Sequence, residues 1–327
     1  MEDIALVRKY EPILRFHHDE NFFPIQVENY LSKCSLHVIK DKNGVMRIPP
    51  PHVALDDLAL FSTTNHFLVY ADREEVDEAE AQKLRNLIER QKNAKGLFDL
   101  PEAIEEAIAA RSIEVLHAFK PFSMPGEIFE QAKANYGGLS QQAPTYYYRV
   151  THTDGYTMLQ YWFFYPYNDF HFSHGGSNDH EGDWENVIVY LQEGEPAYAV
   201  YASHGGGGEE HRRTWDELTL FDTHPVVYVA AGSHGSYFTP ELAPVETKEF
   251  RAGKTIGPGS DYPYAAPQSL LVDWCEDYQG RWGARQWDRP IYEIGDSKGG
   301  PPTGPKFNRD GSIRIAWQDP LVYADLK

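Results

Sequence analysis

Five apolar runs between Thr145 and His234 place the tightest constraint on how this 327-residue chain can fold. They are TYYYRVTH, YTMLQYWFFYPY, NVIVYLQ, AYAVYASH and PVVYVAAGSH. Each is β-branched or aromatic and is bounded by Gly, Asn, Asp or Pro, the signature of a strand between turns. No helical pattern separates them, so crossover units are disfavoured and antiparallel neighbours are expected. Aromatics make up 14% of the chain, 21 of them Tyr. Flat rings suit pleated surfaces, which agrees with a mainly β fold. The expectation is an antiparallel β-sandwich forming one domain over residues 1–327.

The flanks are more mixed. YEPILRFHHDENFFPIQVENYL reads as a short strand, a turn at Pro24 and then a short helix or strand. HFLVYAD, from His66, is a further strand. Residues 73–138 read as a helical insertion within the sandwich. Leu84, Leu87 and Ile88 fit a helical stripe with Glu and Lys opposite, and Gly96 ends that helix. Asp99 caps a second, with Pro101 in its first turn and Ile104, Ala107 and Ile108 facing inward. A third runs from about Gly126 to Asn135 and stops at Gly137 and Gly138. The acids from Glu74 to Glu80 are a solvated helix face. Beyond Lys254 the chain is rich in Gly and Pro, and IRIAWQ is expected to be a last strand.

The formal net charge is −19. A nucleic-acid partner requires a basic footprint, and none of comparable size is present, so that class is excluded. An anionic membrane would repel the chain unless a local patch or a bridging metal intervened. The start, MEDIALVRKYEPILRF, lacks the apolar run of a signal peptide, and no segment reaches the roughly 18 apolar residues of a transmembrane span. A cytoplasmic chain is expected. Cys34 and Cys275 could pair, or stand as free thiols in a reducing compartment. The sequence sets no oligomeric state.

The densest chemistry lies in HEGDWENVIVYL. If the strand begins near Asp183, then Asp183, Glu185, Val187 and Val189 share one face, and Trp184, Asn186, Ile188 and Tyr190 the other. Carboxylates at i and i+2 lie about 7 Å apart along a strand, so their oxygens can converge on one cation. Without a cation they would repel each other on a face otherwise filled by valines. His180, in the turn before, can fold back as a third ligand, and Asn168 and Asp169 supply oxygen from the end of the preceding strand. The competing reading is an acidic loop with solvated side chains.

His204 and His234 also end apolar runs, and Gly follows each. By alternation Val200, Ala202 and His204 share a face, as do Val226, Tyr228, Ala230, Gly232 and His234. Small residues before each His leave room for a ligand, so both are candidate acid–base residues beside the cation. A hydrogen-bonded histidine at a strand end is the plainer reading of either one alone. GSHGS lacks the central Ser of a nucleophile elbow, and HGGGG lacks the Lys of a phosphate loop.

Taken in order, YEPILRFHHDENFFP, YWFFYPYND, HEGDWENV, YASHGGGG, PVVYVAAGSHGSYF, YQGRWG and GGPPTGPKF resemble the vacuolar protein sorting-associated protein 62 family. They run from residue 10 to 307, and the insertion at residues 73–111 is unmatched. HEGDWE is in turn similar to the GHRHDWE heptapeptide of the necrosis-inducing cytolysin-like proteins, which are β-sandwich toxins that bind magnesium or calcium. That resemblance implies a jelly-roll or cytolysin-like sandwich. It also implies His180, Asp183 and Glu185 as metal ligands, with Asn168 or Asp169 as the upstream oxygen. Glu181 and Gly182 replace the toxins' Arg and His, which puts toxin activity in doubt. Three functions follow as expectations. One is a metal-dependent hydrolase or lyase acting at a strand-end cleft. The second is a module that binds a small-molecule, sugar or lipid head-group ligand through its cation. The third is a structural ion in a trafficking-related protein. Carboxylate ligands favour magnesium or calcium; zinc or manganese gains if His204 and His234 also bind.

Overall fold

Two 13-residue strands form the spine of the molecule, and almost every side chain on them is buried. The computed structural model describes residues 2–41, 44–48, 54–70, 125–139, 142–169, 179–202, 207–240, 250–283 and 301–327. In chain order these hold α1 (Glu2–Lys9), β1 (Ile13–His17), α2 (Val27–Leu31), β2 (Cys34–Asp41), β3 (Gly44–Ile48), β4 (His66–Tyr70) and α3 (Pro125–Tyr136). There follow β5 (Tyr147–Thr153), β6 (Tyr156–Asn168), β7 (His180–Gln192), β8 (Glu195–Tyr201), β9 (Arg212–Thr214), β10 (Leu220–Phe221), β11 (His224–Val229) and β12 (Ser236–Tyr237). The chain continues with β13 (Ala252–Ile256), β14 (Gln268–Ser269), α4 (Asp273–Asp277), α5 (Ile315–Gln318) and α6 (Pro320–Tyr323).

The central sheet has the order β14-β5-β6-β7-β8-β9, and β5 to β9 are all antiparallel. β6 and β7 pair without a slip from Tyr156↔Gln192 to Asn168↔His180. A second sheet, β10-β11-β1-β13 with β12 on β11, covers one face. Leu14, Phe16, Val227, Val229 and Ile256 from that sheet pack against Leu159, Tyr161, Phe163, Val187 and Val189 of the first. Alternating inward side chains of two sheets make this core, as in a sandwich. The fold is mainly β, as the sequence leads one to expect.

The opposite face of β6 and β7 is covered as well. α2, α4 and the small β3-β2-β4 sheet close over Trp162, Phe164, Trp184, Trp274 and Trp282. Ala316, Leu321 and Tyr323 cover Ile188 and Tyr190. The spine is thus buried on both sides, which is why its runs are nearly continuous in apolar residues.

Several elements depart from the sequence reading. β11 lies parallel to β1, with Ile13 opposite Val226, rather than antiparallel to β8. β7 begins at His180, three residues before the expected start at Asp183. IRIAWQ is not a strand: Ile315–Gln318 is helical, with Ala316 and Trp317 both buried and Ile313 and Ile315 exposed, a pattern alternation cannot produce. Asp319 then accepts from the Val322 amide and starts α6 at Pro320. α1 had no counterpart in the expectation. The third helix of the insertion is present as Pro125–Tyr136, and the Gly137 amide closes it on Lys133. The first two helices lie outside the described residues. Cys34 and Cys275 are both free and buried.

Candidate functional site

The functional side chains collect where β7 starts and β6 ends. On β7, Val187 and Val189 face the sandwich core while Trp184, Ile188 and Tyr190 face the other layers, so the alternation expected from Asp183 onward is present. It fails one step earlier. Gly182 has φ +58, and a Cβ there would lie 2.2 Å from the Trp282 carbonyl oxygen. Opposite it, the partner strand changes sides at Pro166: Tyr165 packs in the sandwich core and Tyr167 in the tryptophan core. Glu181 accordingly turns away, and its Oε2 accepts from the Tyr70 amide at 2.9 Å. A left-handed residue resets the parity, so His180 comes round towards Asp183 instead of pointing to the opposite face. His180 therefore reaches Asp183 from within the strand, not from a turn.

Asp183 is buried and well held. The Asn168 Nδ2 donates to its Oδ2 at 3.0 Å, and His234 Nδ1 donates to the same oxygen at 3.0 Å. Burial pushes the Asp183 carboxyl up, but the His234 bond, the nearby His180 and Asn168 outweigh it and leave the group below its usual range. Glu185 is the contrast. It is only 7% exposed, and among the described residues no donor reaches its carboxylate. Burial, and after it the charge of Asp183, pushes Glu185 well above the carboxylate range; His234 and Arg314 offset this only in part. The Asn168 Oδ1 is likewise buried without a partner. His180 Nδ1 lies 3.1 Å from the Gly182 carbonyl. A carbonyl only accepts, so Nδ1 carries the proton and Nε2 keeps its lone pair. Burial holds His180 below its ordinary pKa. Asp169 is buried beside them and donates its amide to the Gly232 carbonyl at 3.0 Å.

His234 lies past the end of β11, in a turn with φ +57, so strand alternation does not reach it. Its ring is fully buried and stacks on Tyr165, with centroids 3.8 Å apart and planes at 4°. Nε2 faces Glu20 Oε1 at 3.6 Å, an ion-pair distance rather than a hydrogen bond. Burial lowers the imidazole pKa, but Glu20 and Asp183 more than reverse this and lift it to about 9. Glu20 is itself held below its usual range, since His234 and the amides of Gly232 and Phe22 overcome the cost of burial. An imidazolium thus sits between two carboxylates. His204 lies outside the described residues.

The structure therefore gathers His180, Asp183, Glu185, Asn168, Asp169 and His234 at one strand end. It does not close His180, Asp183 and Glu185 into a tight trio. Among the described residues the group whose ligand atoms all lie within 4.8 Å of one another is His17, His18 and Asp19. Two bonds draw Asp183 towards Asn168 and His234 instead. Sequence reasoning missed Glu20, which sits in the HHDEN stretch with no periodicity to mark it. It also missed Arg314, whose charge acts on Glu185 from the far end of the chain.

These features define a β-sandwich with a carboxylate-bearing strand end. No protein-family model matches the chain. It is 24% identical over 319 residues to vacuolar protein sorting-associated protein TDA6 of Saccharomyces cerevisiae, covering 84% of this chain and 59% of that protein. It is 30% identical over 113 residues to vacuolar protein sorting-associated protein 62 of the same yeast, covering 31% of this chain and 24% of that one. The chain thus spans less than two thirds of the length of either relative. Among solved structures it is similar to NLPPya in complex with glucosamine, at 16% identity, a TM-score of 0.34 and coverage of 58% of this chain and 71% of that one. It is also similar to Necrosis and Ethylene inducing Protein 2 from the causal agent of cocoa's witches' broom disease, at 19% identity, a TM-score of 0.30 and coverage of 47% and 60%. The resemblance to both groups holds. Among the described residues no helix is long and apolar enough to cross a membrane.

Proposed function

We propose that this chain is a divalent-cation-dependent binding protein whose ion is held by Asp183, Glu185 and the Asn168 Oδ1, with His180 Nε2 and Asp169 at hand. The carrying observation is Glu185, a carboxylate buried beside a second, Asp183, whose charge adds to the cost of burying it. Such a pair is costly to bury unless a cation joins it. Two carboxylates and the unpartnered Asn168 Oδ1 make the donor set hard, which favours magnesium or calcium over zinc. A cation bound there would polarise an oxygen of a small-molecule ligand. A sugar or lipid head group is the class to test first, on the heptapeptide resemblance.

A hydrolase or lyase reading needs His204 or His234 as acid or base. His234 has no exposed surface and both ring nitrogens face carboxylates, so we assign it the task of orienting Asp183, in the way a partner group fixes a ligand. Binding is therefore preferred to catalysis through His234. Calorimetric titration of the chelator-treated protein with magnesium and with calcium tests the reading. Wild type should take up one ion, and Asp183→Asn and Glu185→Gln should lose at least tenfold in affinity. Wild type that binds neither ion would end it.

A further inference from the structure

We infer that His17, His18 and Asp19 form a second, separate metal site that takes a zinc-type transition ion. The argument begins with local chain geometry. Along a regular strand His17 and His18 would point to opposite faces. β1 ends at His17, however, and the Glu20 amide bonds back to the His17 carbonyl at 3.1 Å. That turn brings three consecutive side chains to one place, with one ligand atom from each within 4.8 Å of the others.

The spacings suit coordination. His18 Nε2 lies 3.2 Å from Asp19 Oδ1, and His17 Nδ1 lies 3.7 Å from Asp19 Oδ2. Two ligands of a tetrahedral ion with bonds of about 2.0–2.2 Å stand roughly 3.3–3.6 Å apart. The 3.7 Å separation is too long for a hydrogen bond. His17 Nδ1 now accepts the Asp19 amide at 3.2 Å, a long bond that a coordinate bond would replace.

The backbone under the trio is already fixed. The His18 amide donates to the Arg251 carbonyl at 2.9 Å. Gly253 presses so closely that a Cβ there would lie 2.6 Å from His18 Cα. The His17 ring is buried edge-on to Phe250. Little ordering is left for an ion to impose. The His18 and Asp19 side chains are 40% and 34% exposed, so an ion can enter and a fourth position faces solvent. Two imidazoles and one carboxylate select a first-row transition ion over magnesium or calcium. The trio is distinct from the strand-end centre, because Glu20, the next residue, turns its side chain to His234.

Cobalt(II) absorption tests this on the full chain, in excess magnesium. Four-coordinate cobalt with imidazole ligands absorbs visibly, whereas cobalt on an all-oxygen octahedral site absorbs weakly. Wild type and Asp183→Asn should each develop the band with one equivalent, and zinc should displace it. His18→Ala and Asp19→Asn, at partly exposed positions, should lose it while keeping the near-ultraviolet circular dichroism of the wild type. No band in folded wild type overturns the inference, as does a band that survives both substitutions or one that vanishes in Asp183→Asn. If His18→Ala fails to fold, Asp19→Asn and the wild-type titration decide.

Discussion

Glu185→Gln should stabilise the metal-free protein and remove its response to divalent ions. Gln keeps the shape of the side chain and deletes its charge. The folded state raises the Glu185 pKa, so above the ordinary carboxylate range the folded protein holds a proton that the unfolded chain has released. Stability is then fully present below the unfolded pKa and is lost as pH rises towards the folded one. One proton of difference gives a slope of about 1.4 kcal/mol per pH unit. Over two such units the cost reaches about 2.7 kcal/mol. An ion bound to the folded state at a hundredfold excess over its Kd restores about the same amount. The assay is urea denaturation of chelator-treated and magnesium-loaded protein between pH 5 and 8, for wild type and variant. In chelator the wild type should fall behind the variant progressively as pH rises. In magnesium the order should reverse. Parallel pH profiles in chelator, or equal gains from magnesium in both proteins, would refute the claim that burial raises the Glu185 pKa and that a cation would hold its charged form.

Gly182→Ala combines a left-handed backbone, which disfavours a side chain by about 1–2 kcal/mol, with a Cβ 2.2 Å from a backbone oxygen that cannot swing aside. We expect a loss of at least about 3 kcal/mol in urea denaturation, and an unchanged midpoint would show that the parity break is not required. His66 is buried and its pKa falls from 6.5 to about 4, so its contribution is present above pH 6.5 and is lost as pH drops towards 4. Relative to His66→Gln, the wild type should lose about 3 kcal/mol across that interval; identical acid profiles would sink the idea. Cys34 and Cys275 are buried with thiols pushed above their usual pKa, so neither should react with a thiol reagent until the protein is unfolded. Stoichiometric labelling of the native protein would contradict this.

Local pattern carried the sequence reading a long way. The runs that became β5 to β8 declare themselves through β-branched and aromatic residues between turn formers. The common face of Asp183, Glu185, Val187 and Val189 follows from strand period alone. What stayed hidden depends on partners remote in the chain. Nothing near Gly182 says that the Trp282 carbonyl will press against it and turn His180 round. Nothing in PVVYV reveals that its neighbour is ILRFH, because parallel pairing leaves no turn between partners. His234 was located, but its turn conformation and its bond to Asp183 arise from the closure of the sandwich. IRIAWQ misled because Ile, Trp and alternation favour a strand, while burial of Ala316 and Trp317 together needs a helical turn.

The placing of β1 has a consequence for how the molecule is made. β1 is an inner strand of its sheet, with β11 on one edge and β13 on the other. Arg15 meets Tyr228, 213 residues further along. Residues 13–17 leave the ribosome well before residues 224–256, without which neither of their ladders can form. For that interval Leu14 and Phe16 are bare and both strand edges are open, a template for pairing with other chains. Assembly of this sheet must come late and slowly, since long-range parallel pairing closes a large loop before any contact rewards it. A chain cut before His224 would keep the residues of the central spine and lose β11 and β13 from one of its faces and α4 to α6 from the other.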